Sequence, residues 1–366
     1  MKSLSVIVPV YNVEDYVEKC IRSLLEQDIP LEDYEIICIN DGSTDSSLSI
    51  LRRLQNEYEN IIILDQENKG VSQARNNGLD HATGKYILFI DSDDYVEINS
   101  FKHILSKISK QKSEVMILAF SIINEKGEIT EQVLNNNIPE EIYTGIEAYN
   151  LPRGVGLPDP DRIYAVLIET KLLNQKYLRF LPNVPYLEDG EFFTRVLSIS
   201  QRCMFDNKPF YCRTIRMGSA TNSRLFYSNY AHSGFLKSAE NLTKFRDTEI
   251  LSNEQKLFLN QPIIKFTLLP LMITSSLTRI KKFRRIKNEI IIKDLDQLEL
   301  DGCNSIYAQF GKIFNKSISG FFFYWIIRKV LLSIKIRITI NDFFLFGWIY
   351  EKMNLYDYFV IRKINN

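Results

Sequence analysis

The chain has 366 residues, 45% of them hydrophobic and 25% charged, a globular composition with enough apolar surface for a core. Lys plus Arg equals Asp plus Glu at 45 each. The balanced total and the lack of a continuous basic stripe argue against nucleic acid as a partner. Five cysteines (20, 38, 203, 212 and 303) include no Cys-x-x-Cys pair, and His81, His103 and His232 are far apart. That pattern argues against structural zinc and fits reduced thiols in a cytoplasmic protein.

The start of the chain lacks the basic flank, long apolar region and small-residue cleavage site of a secretory leader. It runs almost directly into a predicted strand, Leu4–Val10. Val17, Cys20, Ile21, Leu24 and Leu25 then share one helical face. A second strand, 36–39, stops at Asn40-Asp41-Gly42-Ser43, a turn with Asp45 or Ser46 as the next N-cap. Leu48, Leu51, Leu54 and Tyr58 carry another helix. A third strand (61–64), a third helix (71–82) and a fourth strand (86–90) follow, the last ending in Asp91-Ser92-Asp93-Asp94. A further strand is expected at Val115–Phe120, and the stretch from Asn124 to Asp161 reads as loops.

Continuous apolar strands alternating with amphipathic helices predict a doubly wound α/β domain with a mostly parallel sheet. Right-handed crossovers put the strand C-termini on one edge, where such sheets bind ligands. Asn12, Asp41 and Asp91–Asp94 all fall there. From about residue 226 long helical segments take over, so the expected domains are 1–225 and 226–366.

Three carboxylates in four residues are costly to crowd together unless a positive group binds them. An all-oxygen set suits Mg²⁺ or Mn²⁺, which also bridge phosphates. The alternative is a solvated acidic turn capping the next helix.

The blocks Ser5-Val6-Ile7-Val8-Pro9-Val10-Tyr11-Asn12, Asn40-Asp41-Gly42-Ser43-Thr44-Asp45, Asn68-Lys69-Gly70-Val71-Ser72-Gln73-Ala74-Arg75-Asn76 and Asp91-Ser92-Asp93-Asp94 resemble the inverting glycosyltransferase family 2. That family's catalytic domain has the Rossmann-like GT-A fold. The resemblance covers roughly residues 1–100 in order and spacing, with weaker matches to about 225. It implies that Pro9, Tyr11 and Asn12 line the nucleotide, Tyr11 stacking on the base and Asp41 accepting a hydrogen bond from it. It implies that Asp91, Ser92 and Asp93 form the Asp-x-Asp element, with Asp93 or Asp94 holding a Mg²⁺ or Mn²⁺ ion on the donor diphosphate. Read from the residues alone, Tyr11 is also a packed aromatic at a strand end, and Asp41 a turn former. Arg75 is placed either to approach the diphosphate or to make a surface ion pair.

Leu187-Glu188-Asp189-Gly190-Glu191 resembles the family's Glu-Asp pair, which makes Asp189 the general base for the acceptor hydroxyl. Acids at a helix start are also ordinary dipole partners. Arg213-Thr214-Ile215-Arg216-Met217-Gly218-Ser219 resembles the Arg-x-Gly-Ser segment that closes the family's catalytic domain, with Arg216 and Ser219 at the diphosphate. The pattern departs from the family in two places. Asn40 stands where many relatives have Asp. Tyr164-Ala165-Val166-Leu167-Ile168 replaces a more polar segment that helps shape the acceptor site.

The C-terminal region carries six cations within residues 279–287 (Arg279, Lys281, Lys282, Arg284, Arg285 and Lys287) and aromatic segments around Phe321–Trp325, Phe343, Phe344 and Trp348. Such a region fits either peripheral contact through 279–350 with the inner face of the cell membrane or a packed helical appendage with a solvated basic face. The resemblance implies transfer of a hexose-type sugar from a nucleoside-diphosphate sugar, UDP being the family's favoured nucleotide, to a hydroxyl of a glycan or lipid-linked glycan in surface-polysaccharide synthesis. The competing readings are a non-catalytic sugar-nucleotide or membrane-binding module and a sugar-phosphate nucleotidyltransferase. The latter, like a dinucleotide dehydrogenase, wants a glycine-rich loop after the first strand, and no glycine precedes Gly42.

Overall fold

The computed structural model describes residues 2–154, 162–215 and 224–333. The chain divides into two compact units, with the boundary between Gly234 and Phe235.

The first unit is built on a nine-stranded sheet. The parallel half comprises β1 (Leu4–Val10), β2 (Tyr34–Asp41), β3 (Ile61–Gln66) and β4 (Tyr86–Phe89) in the order β3-β2-β1-β4. Helices α1 (Val17–Leu25), α2 (Ser47–Glu57) and α3 (Val71–His81) are the crossovers between them. Every residue of β1 and β2 is buried, which is why both read as unbroken apolar runs rather than alternating ones. Pro9 is tolerated in this central strand for a local reason. The Ile7 carbonyl accepts from Ile90 N–H at 3.0 Å, so Ile7, and Pro9 two residues on, face the β4 side. β4 has ended at Phe89, and no ladder bond is lost there.

The second half of the sheet is mixed, where a mostly parallel sheet was expected. It contains β5 (Tyr95–Val96), β6 (Val115–Ile123), β7 (Ile129–Val133), β8 (Val166–Glu169) and β9 (Cys203–Thr214). β8 lies antiparallel between β4 and β6, while β6 and β9 pair in parallel. The apolar run Ala165–Ile168 enters this central strand at Val166, and all four residues are fully buried. Because β8 is inverted, its beginning lies at the same sheet edge as the ends of β1, β2, β4, β6 and β9.

The stretch expected as loops also holds β7 and α5 (Gly145–Gly154). β7 is an edge strand with four of its five residues exposed, so it carries no apolar pattern. α5 contains Pro152. The remaining helices of this unit are α4 (Phe101–Gln111), α6 (Thr170–Gln175) and α7 (Glu188–Ile199).

The second unit is helical: α8 (Asn229–Thr248), α9 (Asn253–Thr274), α10 (Ile280–Ile292), α11 (Ser305–Lys316) and α12 (Ile318–Ser333). α8 begins before the Phe235 boundary. A reciprocal box starts α9, with Ser252 Oγ accepting from Gln255 N–H and Gln255 Oε1 accepting from Ser252 N–H. By length and composition α9 could cross a membrane, but it is mostly buried within the protein and contains Pro262 and Pro270. In α10 Phe283, Ile286 and Ile290 face inward, leaving Lys281 and Arg284 in solvent. Phe321, Phe322 and Trp325, expected as aromatics for a lipid interface, are core instead. Phe322 stacks on Phe283 at 4.2 Å, and Trp325 packs edge-on against Phe310 at 5.3 Å. Phe343, Phe344 and Trp348 lie outside the described residues.

Candidate active site

The loops after β1 and β2 are knitted together at the ligand edge. Asn12, in the left-handed region at φ 49, accepts from Thr44 N–H at 2.8 Å and donates its own N–H to Ser43 Oγ at 3.2 Å. Tyr11 beside it is 50% exposed, so its ring is an open face rather than packing. Asn40 donates to Asp65 Oδ1 at 2.7 Å. An aspartate at position 40 would set two carboxylates against each other.

Asp41 is buried. Its Oδ1 accepts from Gln66 Nε2 and Lys69 N–H, both at 2.8 Å, and its Oδ2 from Gly70 N–H at 2.9 Å. The carboxylate therefore shapes the entry to α3, and one lone-pair position remains on Oδ2. Gly70 adopts φ 83, a left-handed conformation that glycine enters at little cost.

α3 delivers Arg75 to the centre of the edge. Its guanidinium is 3% exposed and meets three carboxylates: Asp189 at 2.7 Å, Asp91 at 2.9 Å and Glu188 at 3.1 Å. Of the two placements read from the sequence, a surface ion pair is ruled out by this burial. The expense of burying a cation is offset only because several opposite charges surround it. Burial works against its charge, but Asp189, Asp91 and Glu188 outweigh burial and raise its pKa. Asn76 holds the next turn in place by exchanging two bonds with the Phe180 backbone, at 2.9 and 2.7 Å. The Phe180 ring lies 5.2 Å beneath the Arg75 guanidinium.

Asp189 sits in the first turn of α7, after Leu187 in the left-handed region at φ 60. Burial lifts its carboxyl to about 7 against the pull of Arg75, with Glu188 and Asp91 adding to the rise. Ile163 N–H points at its Oδ2 from 3.5 Å. A carboxyl titrating near neutrality is matched to taking a proton from an alcohol.

The acidic turn follows β4. Asp91 is tied to Arg75, and Ser92 is buried. Asp94 faces away from the rim: Tyr211 donates its hydroxyl proton to Oδ2 at 2.5 Å, and Thr214 N–H donates to Oδ1 at 2.7 Å. The Tyr211 hydroxyl also accepts from Asp91 N–H at 3.3 Å. Burial, then the charges of Asp91 and Asp93, push the Asp94 carboxyl well above its ordinary range. Asp93 is half-buried at the rim. Among the described residues no three His, Cys, Asp or Glu side chains converge on a common metal position. Arg216 and Ser219 lie outside the described residues.

Asp189, Asp91 and Arg75, candidates drawn from three distant sequence blocks, thus share one cluster. Tyr211, Asn76 and the 163 backbone were missed. A tyrosine in a buried strand must find a hydroxyl partner, which flags Tyr211 but does not identify Asp94.

The family model for glycosyl transferase family 2 matches residues 5–158. "Glycosyltransferase GlyA" of Streptococcus pneumoniae serotype 4 is 33% identical over 234 residues, covering 63% of this chain and 32% of that protein. The "Poly(ribitol-phosphate) beta-glucosyltransferase" of Bacillus spizizenii is 39% identical over 195 residues, covering 52% of this chain and 28% of that protein. These matches span about a third of each relative's length. The crystal structure of Staphylococcus aureus TarS 1–349 in complex with UDP-GlcNAc superposes with a TM-score of 0.67 at 20% identity, over 90% of this chain and 92% of that one. The shared architecture is the GT-A sheet followed by a helical region. By these matches, residues 5–158 carry a glycosyl transferase family 2 domain.

Proposed function

We propose that this protein is an inverting glycosyltransferase that moves a hexose-type sugar from a UDP-sugar to a hydroxyl of a surface glycan or of its lipid-linked precursor. The observation that carries the reading is Arg75, which bonds the candidate base Asp189 at 2.7 Å and the acidic turn through Asp91 at 2.9 Å. An inverting transfer needs one base on the acceptor side and charge stabilisation on the leaving-group side, within one sugar's reach of each other.

The exposed face of Tyr11 stacks on the base, and the remaining Oδ2 position of Asp41 accepts an N–H from its edge. Pro9 and Asn12 shape the same wall. A divalent cation fits at Asp93 only if diphosphate oxygens complete its shell, since Asp94 is spent on Tyr211 and Thr214. Mg²⁺ commonly binds in this way, through one or two carboxylates plus substrate phosphates. When bound, it neutralises charge on the departing diphosphate. Arg216 and Ser219 are assigned to the same diphosphate. Asp189, as carboxylate, takes the hydroxyl proton while the oxygen attacks the anomeric carbon from the face opposite the leaving group. That single displacement inverts the configuration. Arg75 keeps Asp189 ionised to lower pH than burial alone would allow.

Similarity to a protein named for poly(ribitol-phosphate) transfer supports an acceptor in cell-surface polymer synthesis. We place the protein in the cytoplasm, at the inner membrane face. Arg279, Lys281 and Arg284 are exposed, as are Phe323 and Ile327 at 47% and 60%, and these would meet an anionic lipid surface.

The test is release of UDP or GDP from a panel of nucleotide sugars with Mn²⁺ or Mg²⁺. A UDP-sugar should be turned over, EDTA should abolish the reaction and added Mn²⁺ restore it. Absence of turnover with every donor, with and without acceptor, would refute the assignment.

A further inference from the structure

Arg75 lies on α3 and Asp189 on α7, so their 2.7 Å contact depends on how the two helices are spaced. Arg75 does not fix that spacing alone. Its Nε has no hydrogen-bond partner among the described residues, and its fork is shared among three carboxylates. The segment 179–180 is tied to both helices. On the α3 side, Asn76 closes its two bonds on the Phe180 backbone. Asp80, one turn further along α3, pairs with the Arg179 guanidinium at 2.8 Å. On the α7 side, the Phe192 ring stacks on Phe180 at 3.9 Å. Arg195 donates from Nη2 to the Arg179 carbonyl at 2.7 Å and is itself held by two bonds to Glu191, both 2.7 Å. Glu188, Phe192 and Arg195 recur at helical spacing, so one face of α7 meets Arg75, Phe180 and Arg179 in turn.

Asn76, Phe180, Phe192 and Arg195 are all buried, so a bond lost in this clamp is not replaced by one to water. The Phe180 ring, 5.2 Å from the Arg75 guanidinium, gives the planar cation a surface to lie on. Close packing leaves it no room to retreat while that ring is in place. α3 is the fixed reference, because at Gly78 an added Cβ would come within 2.5 Å of Ile7 Cγ2 on β1. The groups that face Asp189 are Arg75 from α3, Asp91 from the acidic turn, Glu188 from α7 and Ile163 N–H. Of these, Arg75 is the cation. A small retreat of Arg75 leaves burial and two like charges acting on Asp189 with less to oppose them.

We propose that Asn76, Phe180 and Arg195 are positioning residues of the transfer reaction: they lock the segment 179–180 to α3 and α7 and so hold the Arg75 cation against the base. They act through Arg75 rather than on the substrate. This deepens the transferase reading and rests on Asp189 as the base. The clamp decides how much of Asp189 is carboxylate near neutral pH, and therefore how readily it takes the acceptor's proton.

The experiment follows the Asp189 carboxyl directly, by NMR of the full chain labelled at the aspartate Cγ carbons, its signal assigned by its loss in Asp189→Asn. The wild-type midpoint should fall at about 7. Phe180→Leu and Asn76→Ala should each raise it by about one pH unit, within the range for loosening an opposite charge, and Arg195→Gln should move it the same way. In an Arg75→Gln background these substitutions should add nothing, because they act through that cation. Arg179→Gln, which removes the pair with Asp80 and keeps the Arg179 carbonyl, should leave the midpoint in place. The acid limb of UDP release should move with the midpoint. A merely structural role would lower the melting temperature of these variants without moving the midpoint, and that result overturns the proposal. An equal rise with and without Arg75 overturns it too, as does a midpoint that Arg75→Gln fails to move. Should Asn76→Ala not fold, Phe180→Leu decides alone. Because the carboxyl is read without turnover, an inactive wild type would refute the transferase assignment and leave this result separately readable.

Discussion

Replacing Arg75 by Gln should move the acid limb of the reaction. The active form of Asp189 is the carboxylate, so activity is present above its pKa of about 7 and is lost as pH falls through that value. Arg75 is the cation that opposes the upward push of burial, with Nη1 at 2.7 Å from Oδ1. Charge centres about 4 Å apart at an effective dielectric of about 20 interact by about 4 kcal/mol. At about 1.36 kcal/mol per pH unit, that is about three units. Relaxation reduces the figure, and opposite charges at this range typically account for about one to about three. The limb of kcat/KM against pH should therefore rise from near 7 to between about 8 and about 10. At pH 7 the rate should be lower by between about fivefold and several hundredfold, recovering as pH rises. Arg75→Lys, which keeps the charge, should leave the limb near 7. UDP release between pH 5.5 and 9.5 is the assay. A Gln variant with its limb unmoved and its plateau uniformly lowered would refute the claim that Arg75 acts through Asp189.

Two further outcomes follow from the same geometry. Asp41→Asn puts an amide N–H against a donor, either Gly70 N–H or the Lys69 and Gln66 pair. It should cost about 1–3 kcal/mol of stability, read as a lower urea midpoint, together with weaker UDP binding. Tyr211→Phe removes the hydroxyl shared by Asp94 and Asp91 N–H. It should lower the melting temperature and loosen the acidic turn, and an unchanged UDP affinity in this variant would show that the turn does not need that brace.

The parallel half of the sheet was legible because β1, β2 and β4 are buried on both faces and α1 and α2 each turn one apolar face to them. β7 escaped notice because an exposed edge strand needs no apolar pattern. Inverted β8 read as an anomaly against the family, since nothing in Ala165–Ile168 states strand direction. At the site, Asp41, Asp91 and Asp189 were legible as residue types at strand and helix ends. Their wiring was not. Whether Asp94 faces a cation or Tyr211 depends on a strand more than a hundred residues later, and the burial of Arg75 depends on α7 closing over α3.

The central claim is that Asp189 is the base. It is tested most directly by Asp189→Asn, with sugar-transfer kcat and UDP affinity measured on the same preparation. The account expects kcat to fall by about 10²- to about 10⁴-fold while the UDP dissociation constant stays within about twofold. Transfer at the wild-type rate by that variant would contradict it.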